Sequence, residues 1–110
     1  MKNNLRKRNL IDELSKREEK IWKDIAKRLS KPGKTSVNIA RINRYAKSGE
    51  HLLVPGKVIG YGNIKNPVFV TAISFSNEAE KKIKKAGGNC TKIEEIIKES
   101  PKGKGLRIFR

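Results

Sequence analysis

The sequence has few of the residues on which small metalloproteins and disulfide-bonded proteins depend. Cys90 is the single cysteine and His51 the single histidine among 110 residues. One cysteine cannot form an internal disulfide or a cysteine-rich zinc site, and a lone histidine without acidic residues at ligand spacing is a poor metal ligand or general base. We therefore expect His51 to be a turn or surface residue, and we expect no metal, no other cofactor, no small-molecule substrate and no catalytic residues.

Long apolar segments are missing as well. No run of about 18 apolar residues is present, so no transmembrane helix is predicted. The segment Met1–Arg8 is basic but lacks the apolar stretch of a signal peptide, so we expect the protein to stay where it is made. No amphipathic segment pairs a wide aromatic face with a basic one, which makes a membrane surface the weaker choice of partner.

Positive charge is abundant. The chain has 27 lysines and arginines against 11 aspartates and glutamates, a net charge of +16, and the excess is spread over both halves. A compact domain of this length and charge repels itself unless it lies beside a polyanion, and nucleic acid is the commonest one. We predict a single nucleic-acid-binding domain that spans residues 1–110.

Residues 1–34 have the pattern of a basic helical arm. Apolar residues recur there at helical spacing, which predicts one packed face: Ile11, Leu14, Ile21, Trp22, Ile25 and Leu29. A second face of the same helices is positive: Lys16, Lys20, Lys23 and Lys27. Ser15 followed by Glu18 matches a capping box, so we predict two helices, 4–14 and 16–30. Pro32 and Gly33 then end the helical part in a loop that carries Lys31 and Lys34.

The segment Val37–Ala46 is predicted to be a helix that carries two arginines one turn apart. Arg41 and Arg44 can grip successive phosphates through their planar forks of donors. Tyr45 stands beside the apolar face of this segment, and we interpret it as a packing residue rather than a base-stacking one.

The stretch Leu52–Gly62 combines β-branched residues with glycines at short spacing. Leu52–Val54 and Val58–Ile59 favour two short strand pieces. Pro55-Gly56 between them is typical of a type II turn with a positive φ at the glycine, which would place Lys57 at a sharp corner. Gly60 and Gly62 flank Tyr61, so the backbone there can approach a nucleic acid closely.

The rest of the chain alternates strands and helices. Val68–Phe75 is predicted to be a strand covered on both faces. Ser76 is predicted to cap a helix over 77–86, which ends at Gly87-Gly88. A short strand at Cys90, a helix over 92–99 and a half-buried edge strand over 106–110 follow. Residues 35–110 therefore form a mixed α/β body.

Four segments, in this order, resemble a known family. They are Asn38–Tyr45 (Asn-Ile-Ala-Arg-Ile-Asn-Arg-Tyr), Val54–Gly60 (Val-Pro-Gly-Lys-Val-Ile-Gly), Phe75-Ser76 with Ala86-Gly87-Gly88 around the next helix, and Ser100–Gly103 (Ser-Pro-Lys-Gly). Nearly the whole chain is similar to large-subunit ribosomal protein eighteen of archaea and eukaryotes, a relative of bacterial large-subunit ribosomal protein fifteen. The resemblance implies an irregular superhelix of short β-β-α turns and a structural role in the large subunit of a cytoplasmic ribosome. The short chain favours an archaeal source.

The resemblance and the charge together imply partners and a binding mode. We expect large-subunit rRNA and neighbouring ribosomal proteins as partners, without homo-oligomers. RNA helices are recognised mostly by shape and backbone, so a distributed footprint is expected. The residues expected to bind RNA are Arg6, Lys7, Arg8, Lys31, Lys34, Arg41, Arg44, Lys57, Gly60, Tyr61, Gly62, Lys102, Lys104, Arg107 and Arg110. The alternative is a DNA-binding chromatin or regulatory protein, although Arg41–Tyr45 is a poor recognition helix.

Overall fold

The computed structural model describes the backbone of residues 2–30, 36–99 and 105–109, and the side chains from Arg8 onward in those ranges. The described residues form helices and strands in mixed order, which confirms the mixed α/β class. The helices are α1 (Lys2–Ser15), α2 (Lys20–Ser30), α3 (Ile39–Tyr45), α4 (Asn77–Lys85) and α5 (Ile93–Glu99). The strands are β1 (Ser36–Asn38), β2 (His51–Ile59), β3 (Phe69–Phe75), β4 (Asn89–Lys92) and β5 (Leu106–Ile108).

The strands form one sheet in which each recorded pairing is parallel. The order is β1-β2-β3-β4, and β5 also pairs with β2. β1 pairs with residues 57–59 of β2, and β5 pairs with residues 51–53, so the two short strands share one edge of β2. Parallel neighbours require crossover connections. Helices lie in the connections from β1 to β2, β3 to β4 and β4 to β5, whereas residues 60–68 join β2 to β3 without a helix.

Two apolar clusters lie on opposite faces of this sheet. Along β2, Leu52 and Val54 join one cluster and Leu53 joins the other, as strand alternation requires. The first cluster packs the sheet against α3 and α4, and the second packs it against α1, α2 and α5. The apolar face predicted for the amino-terminal helices is confirmed, because these residues share the second cluster with Ile93 and Ile97: Leu14, Trp22, Ile25 and Leu29.

The predicted boundary between the first two helices is wrong. Ser15 is the last residue of α1, and its hydroxyl donates to the carbonyl oxygen of Asp12 at 2.9 Å. It therefore does not cap the next helix, which begins at Lys20. A serine can bond backward to a carbonyl as readily as forward to an N–H, so the Ser15–Glu18 spacing did not fix the direction of the bond.

The central stretch also differs from its prediction. β2 runs without a break from His51 to Ile59, with a register shift between Val54 and Lys57. Gly56 does not have a positive φ, so the predicted type II turn is wrong. Pro55 and Gly56 are buried inside the strand. An irregularity in the pairing tolerates a proline without its N–H, and pairing on both sides of β2 overrides the local turn preference.

The elements after β2 agree with their predictions. The Ser76 hydroxyl accepts a hydrogen bond from the Ala79 amide at 3.1 Å and so caps α4. Gly87 follows α4 with a φ of +94°. A Cβ on Gly88 would collide with the carbonyl oxygen of Val68, so this glycine lets β3 and the start of β4 approach. β4 contains Cys90, and β5 is the predicted half-buried edge strand.

Candidate nucleic-acid interface

Helix α3 turns its arginines outward because its apolar residues are held by the core. Ile39 and Ile42 are fully buried, which leaves Arg41 and Arg44 exposed on the other side. The guanidinium carbon of Arg41 lies 5.9 Å from the ring centroid of Phe109, a cation–π distance. Neither arginine forms a salt bridge with another described residue. Their charges are therefore available for an external anion.

The loop Gly60–Gly62 is tied to two helices. The Lys82 ammonium on α4 donates to the carbonyl oxygens of Gly60 at 2.9 Å and Gly62 at 2.8 Å. The Tyr61 carbonyl accepts from the Ala40 amide on α3 at 3.3 Å. These contacts fix the backbone on both sides of Tyr61, whose residue surface is 77% exposed. The loop thus presents one aromatic side chain to solvent from an anchored backbone.

The glycines of this loop are needed by the protein's own packing. A Cβ on Gly60 would lie 2.6 Å from the Ala79 amide nitrogen, and one on Gly62 would collide with the Cβ of Ala40. Gly62 also has a φ of +98°, which residues other than glycine rarely adopt. The bare backbone that the sequence suggested for a nucleic acid is thus approached by α3 and α4. A further contact of this backbone with RNA stays a prediction.

Two adjoining concavities bring several of the candidate residues together. The first, of about 400 Å³, is hereafter the tyrosine concavity, and its lining is Asn38, Ala40, Arg41, Arg44, Tyr45 and Tyr61. The second is lined by Arg41, Tyr45, Arg107, Ile108 and Phe109. Four residues predicted from distant parts of the sequence, Arg41, Arg44, Tyr61 and Arg107, therefore lie on one surface.

Tyr45 belongs to this surface, and its interpretation as a packing residue is wrong. The residue is 56% exposed and contributes to both concavities. A helical turn of about 100° per residue places Tyr45 about 40° from Arg41 and about 60° from Ile42. The angular position of Tyr45 on the helix was therefore the signal that could have assigned it to the arginine side.

Arg107 reaches this surface through the sheet and is already paired. β5 aligns Arg107 with Leu52 of β2, and the Arg107 Nη1 donates to the Glu50 Oε2 at 2.7 Å. The other carboxylate oxygen of Glu50 accepts from the Lys47 amide at 2.9 Å. The pair is partly solvent-exposed, so it contributes little to stability but fixes the orientation of the guanidinium.

The other predicted residues lie elsewhere. Lys57 is exposed but lines neither concavity, because its neighbour Val58 faces the α3–α4 cluster and alternation directs Lys57 to the opposite face. Arg8 is exposed on α1 and also lines neither concavity. Arg6 and Lys7 lie in α1, but their side chains fall outside the described residues. Lys31, Lys34, Lys102, Lys104 and Arg110 lie outside the described residues altogether.

The described residues offer little to other kinds of chemistry. Within 2–30, 36–99 and 105–109, no cluster of three or more metal-ligating side chains is present, and no helix has the length and hydropathy to span a membrane. Burial, followed by the charge of Glu80, raises the pKa of the Cys90 thiol to about 11, so the reactive thiolate is scarce at neutral pH. His51 is exposed and stacks on Phe69 with ring centroids 4.7 Å apart, which agrees with a surface role.

Comparison with known proteins adds a family to this geometry. Residues 17–91 match the family of ribosomal proteins that includes 50S-L15 and 50S-L18e. The chain is 50% identical over 102 residues to large ribosomal subunit protein eL18 of Archaeoglobus fulgidus, covering 91% of this chain and 87% of the relative. It is 48% identical over 102 residues to the protein of that name from Methanococcus maripaludis, with coverages of 91% and 85%. Residues 17–91, which match the family, include the tyrosine concavity and the Lys82 contacts.

Proposed function

Since the chain belongs to the ribosomal protein family that includes 50S-L15 and 50S-L18e, we propose that it is a structural constituent of the large ribosomal subunit that binds and bridges rRNA helices. The observation that carries this proposal is the identity of about half the residues, along nine-tenths of the chain, with an archaeal relative named for the large subunit. The role is not enzymatic. It places the protein on the cytoplasmic ribosome, with rRNA and neighbouring ribosomal proteins as partners.

The proposed mechanism is neutralisation of RNA phosphates by cationic side chains that the fold leaves exposed. Arg41 and Arg44 are exposed, are one helical turn apart and form no salt bridge with the described residues. Each phosphate contact releases condensed counterions, which favours binding at low salt. The further residues proposed to bind the RNA, by charge or by close approach, are Arg6, Lys7, Arg8, Lys31, Lys34, Lys57, Gly60, Tyr61, Gly62, Lys102, Lys104, Arg107 and Arg110.

Bridging is supported by the placement of cations on both sides of the sheet. α3, with Arg41 and Arg44, covers one face, and α2 packs on the other. On α2 the predicted lysine row is exposed at Lys20, Lys23 and Lys27. Two cationic surfaces separated by the thickness of the sheet suit two different RNA helices better than one.

We extend the proposal to the finer architecture. The chain is one rRNA-binding domain over residues 1–110, in which a basic helical part, 1–34, packs on a mixed α/β body, 35–110. We propose that the body is an irregular superhelix of short β-β-α turns. The parallel pairing of successive strands, with a helix after β1, β3 and β4, supports this winding.

Salt-dependent binding tests the proposal. With ten phosphate contacts, the logarithm of the association constant should fall with the logarithm of salt concentration at a slope of about −7 to −9. We expect this slope for fragments of large-subunit rRNA, and we expect the protein to sediment with large subunits until the salt concentration is high. A slope typical of one or two contacts, or stronger binding of duplex DNA in competition, would contradict the proposal and favour a DNA-binding protein.

A further inference from the structure

The tyrosine concavity gathers most of the exposed aromatic surface of the described residues. Three large hydrophobic side chains are exposed in the part of the chain that the structure describes: Tyr45 at 56%, Tyr61 at 77% and Phe69 at 37%. The first two line the same concavity although they come from a helix and a loop. Single exposed apolar residues are ordinary, but two tyrosines that converge between arginines indicate a binding surface.

The backbone that carries Tyr61 is held before any ligand arrives. Lys82 donates to the carbonyl oxygens on either side of Tyr61, and Ala40 donates to the carbonyl of Tyr61 itself. Gly60 and Gly62 are packed so closely against α4 and α3 that neither has room for a Cβ. A ligand that stacks on this ring therefore does not need to order the loop, which lowers the entropic cost of binding.

The side chains of this concavity match the two ends of a nucleotide, because guanidiniums bind a phosphate and tyrosine rings stack on a base. Arg41 and Arg44 offer guanidiniums, and no acidic residue lines the concavity. Asn38 lines it too, and its amide does not cap α3. The Asn38 Oδ1 is buried and has no hydrogen-bond partner among the described residues. Donors of phosphate contacts and exposed aromatic faces are the groups that bind an unpaired nucleotide.

We propose that the tyrosine concavity binds a single unpaired nucleotide of the RNA, with the base stacked on Tyr61 or Tyr45 and the phosphate held by Arg41 and Arg44. A base inside a duplex has both faces covered by its neighbours and cannot stack on a tyrosine, so this site selects a bulge or loop. The inference rests on the proposed rRNA-binding role. It adds a site that distinguishes unpaired from paired RNA, whereas the phosphate contacts do not.

Two short RNA hairpins of the same paired sequence test this site in the full-length protein. Both hairpins are closed by a hexaethylene glycol linker in place of a nucleotide loop, so that one is fully paired and the other has one bulged 5-iodouridine in addition. Stacking of one base on an aromatic side chain strengthens binding, so we expect the bulged hairpin to bind about tenfold tighter, about 1.4 kcal/mol, at the same salt concentration. Near-ultraviolet irradiation should cross-link the iodouridine to Tyr45 or Tyr61, identified by mass spectrometry of the digested complex.

Substitutions separate stacking from charge. Leucine in place of the tyrosine that stacks on the base, Tyr61→Leu or Tyr45→Leu, should reduce the preference for the bulged hairpin and leave binding of the paired hairpin unchanged. Tyr61→Phe should keep the wild-type preference, and an unchanged preference in both leucine variants would overturn the site. Phe69→Leu is the matched control, because Phe69 is exposed but lines neither concavity. Circular dichroism and thermal melting establish that the variants fold.

The outcomes distinguish this site from the general role. Equal binding of the two hairpins by the wild-type protein, with a steep salt dependence, would overturn the nucleotide site and leave the rRNA-binding role standing. Cross-links only at residues outside the concavity would overturn the site as well. If neither hairpin binds at low salt, the proposed function fails and the nucleotide site fails with it.

Discussion

The ammonium nitrogen of Lys82 lies 2.8 Å from the carbonyl oxygen of Gly62, twenty residues earlier in the chain. The same ammonium reaches the Gly60 carbonyl at 2.9 Å. Lys82 therefore stabilises the structure, because its ammonium holds the backbone of the loop that carries Tyr61. Its neighbours on α4, Lys81, Lys84 and Lys85, are exposed.

Replacement of Lys82 by methionine should destabilise the protein. The methionine side chain would keep most of the apolar length of the lysine but leave two part-buried carbonyl oxygens without their donor. Hydrogen bonds to charged groups are worth about 1.5–3 kcal/mol, and we expect a loss of about 2 kcal/mol in the free energy of unfolding, measured by urea denaturation. Lys81→Met is the control, expected within about 0.5 kcal/mol of wild type. Equal effects of the two substitutions would remove the structural role of Lys82.

Alanine at Gly62 should cost more than alanine at Gly49. Both glycines have positive φ values, +98° and +81°, so both substitutions strain the backbone, by about 1 kcal/mol. A Cβ at Gly62 also collides with Ala40, whereas a Cβ at Gly49 meets nothing within 4 Å. Overpacking adds about 1–3 kcal/mol, so the two free energies of unfolding should differ by that amount. Equal destabilisation would mean that the loop and α3 move apart to accommodate the Cβ without loss of stability.

Removal of both α3 guanidiniums should change the salt dependence of RNA binding. The double variant Arg41→Gln and Arg44→Gln loses two phosphate contacts, so the slope against the logarithm of salt should become shallower by about 1.4 to 1.8. Affinity should fall similarly for different RNA sequences, because phosphate contacts carry no sequence information. Lys98→Gln is the control, since Lys98 is exposed on α5 and lines neither concavity. An unchanged slope in the double variant would exclude α3 from the interface.

Cys90 predicts a loss of stability at high pH. The pKa of its thiol is about 11 in the folded protein against the ordinary 9.0, chiefly because burial disfavours the thiolate. The unfolded chain therefore releases this proton first. The stability that this difference contributes is fully present below pH 9.0 and is lost as the pH rises through about 11.

A comparison with Cys90→Ala isolates this effect from the titration of tyrosines and lysines. Wild type should lose more stability than the variant between pH 9.0 and about 11, measured by urea denaturation at a series of pH values. Alkylation by iodoacetamide should be slower at Cys90 in the folded protein than in urea, since only the thiolate reacts. Parallel stability curves for the two proteins would show that the thiol ionises alike in both states.

Some features followed from the sequence because short-range physics determines them. The start and the end of α4 depend on local contacts. Ser76 caps the start by accepting a hydrogen bond from the Ala79 amide, and Gly87 follows the last turn with a positive φ. The apolar spacing of Trp22, Ile25 and Leu29 likewise identified the buried face of α2. The positive net charge, and with it the class of partner, depends on composition alone.

Tertiary contacts decided the rest. Pro55 and Gly56 prefer a turn in isolation, but the residues before and after them, 51–54 and 57–59, pair with parallel neighbours and keep β2 extended. Arg107 lies far from Arg41 in the chain, and only the pairing of β5 with β2 brings the two to the same concavity. Nothing in the sequence distinguishes Lys82 from the other lysines of α4, and only the fold places two carbonyl oxygens within hydrogen-bond distance of its ammonium. The sequence therefore determined the charge and the local elements, and the tertiary structure decided which cations face outward, because that depends on contacts between residues distant in the chain.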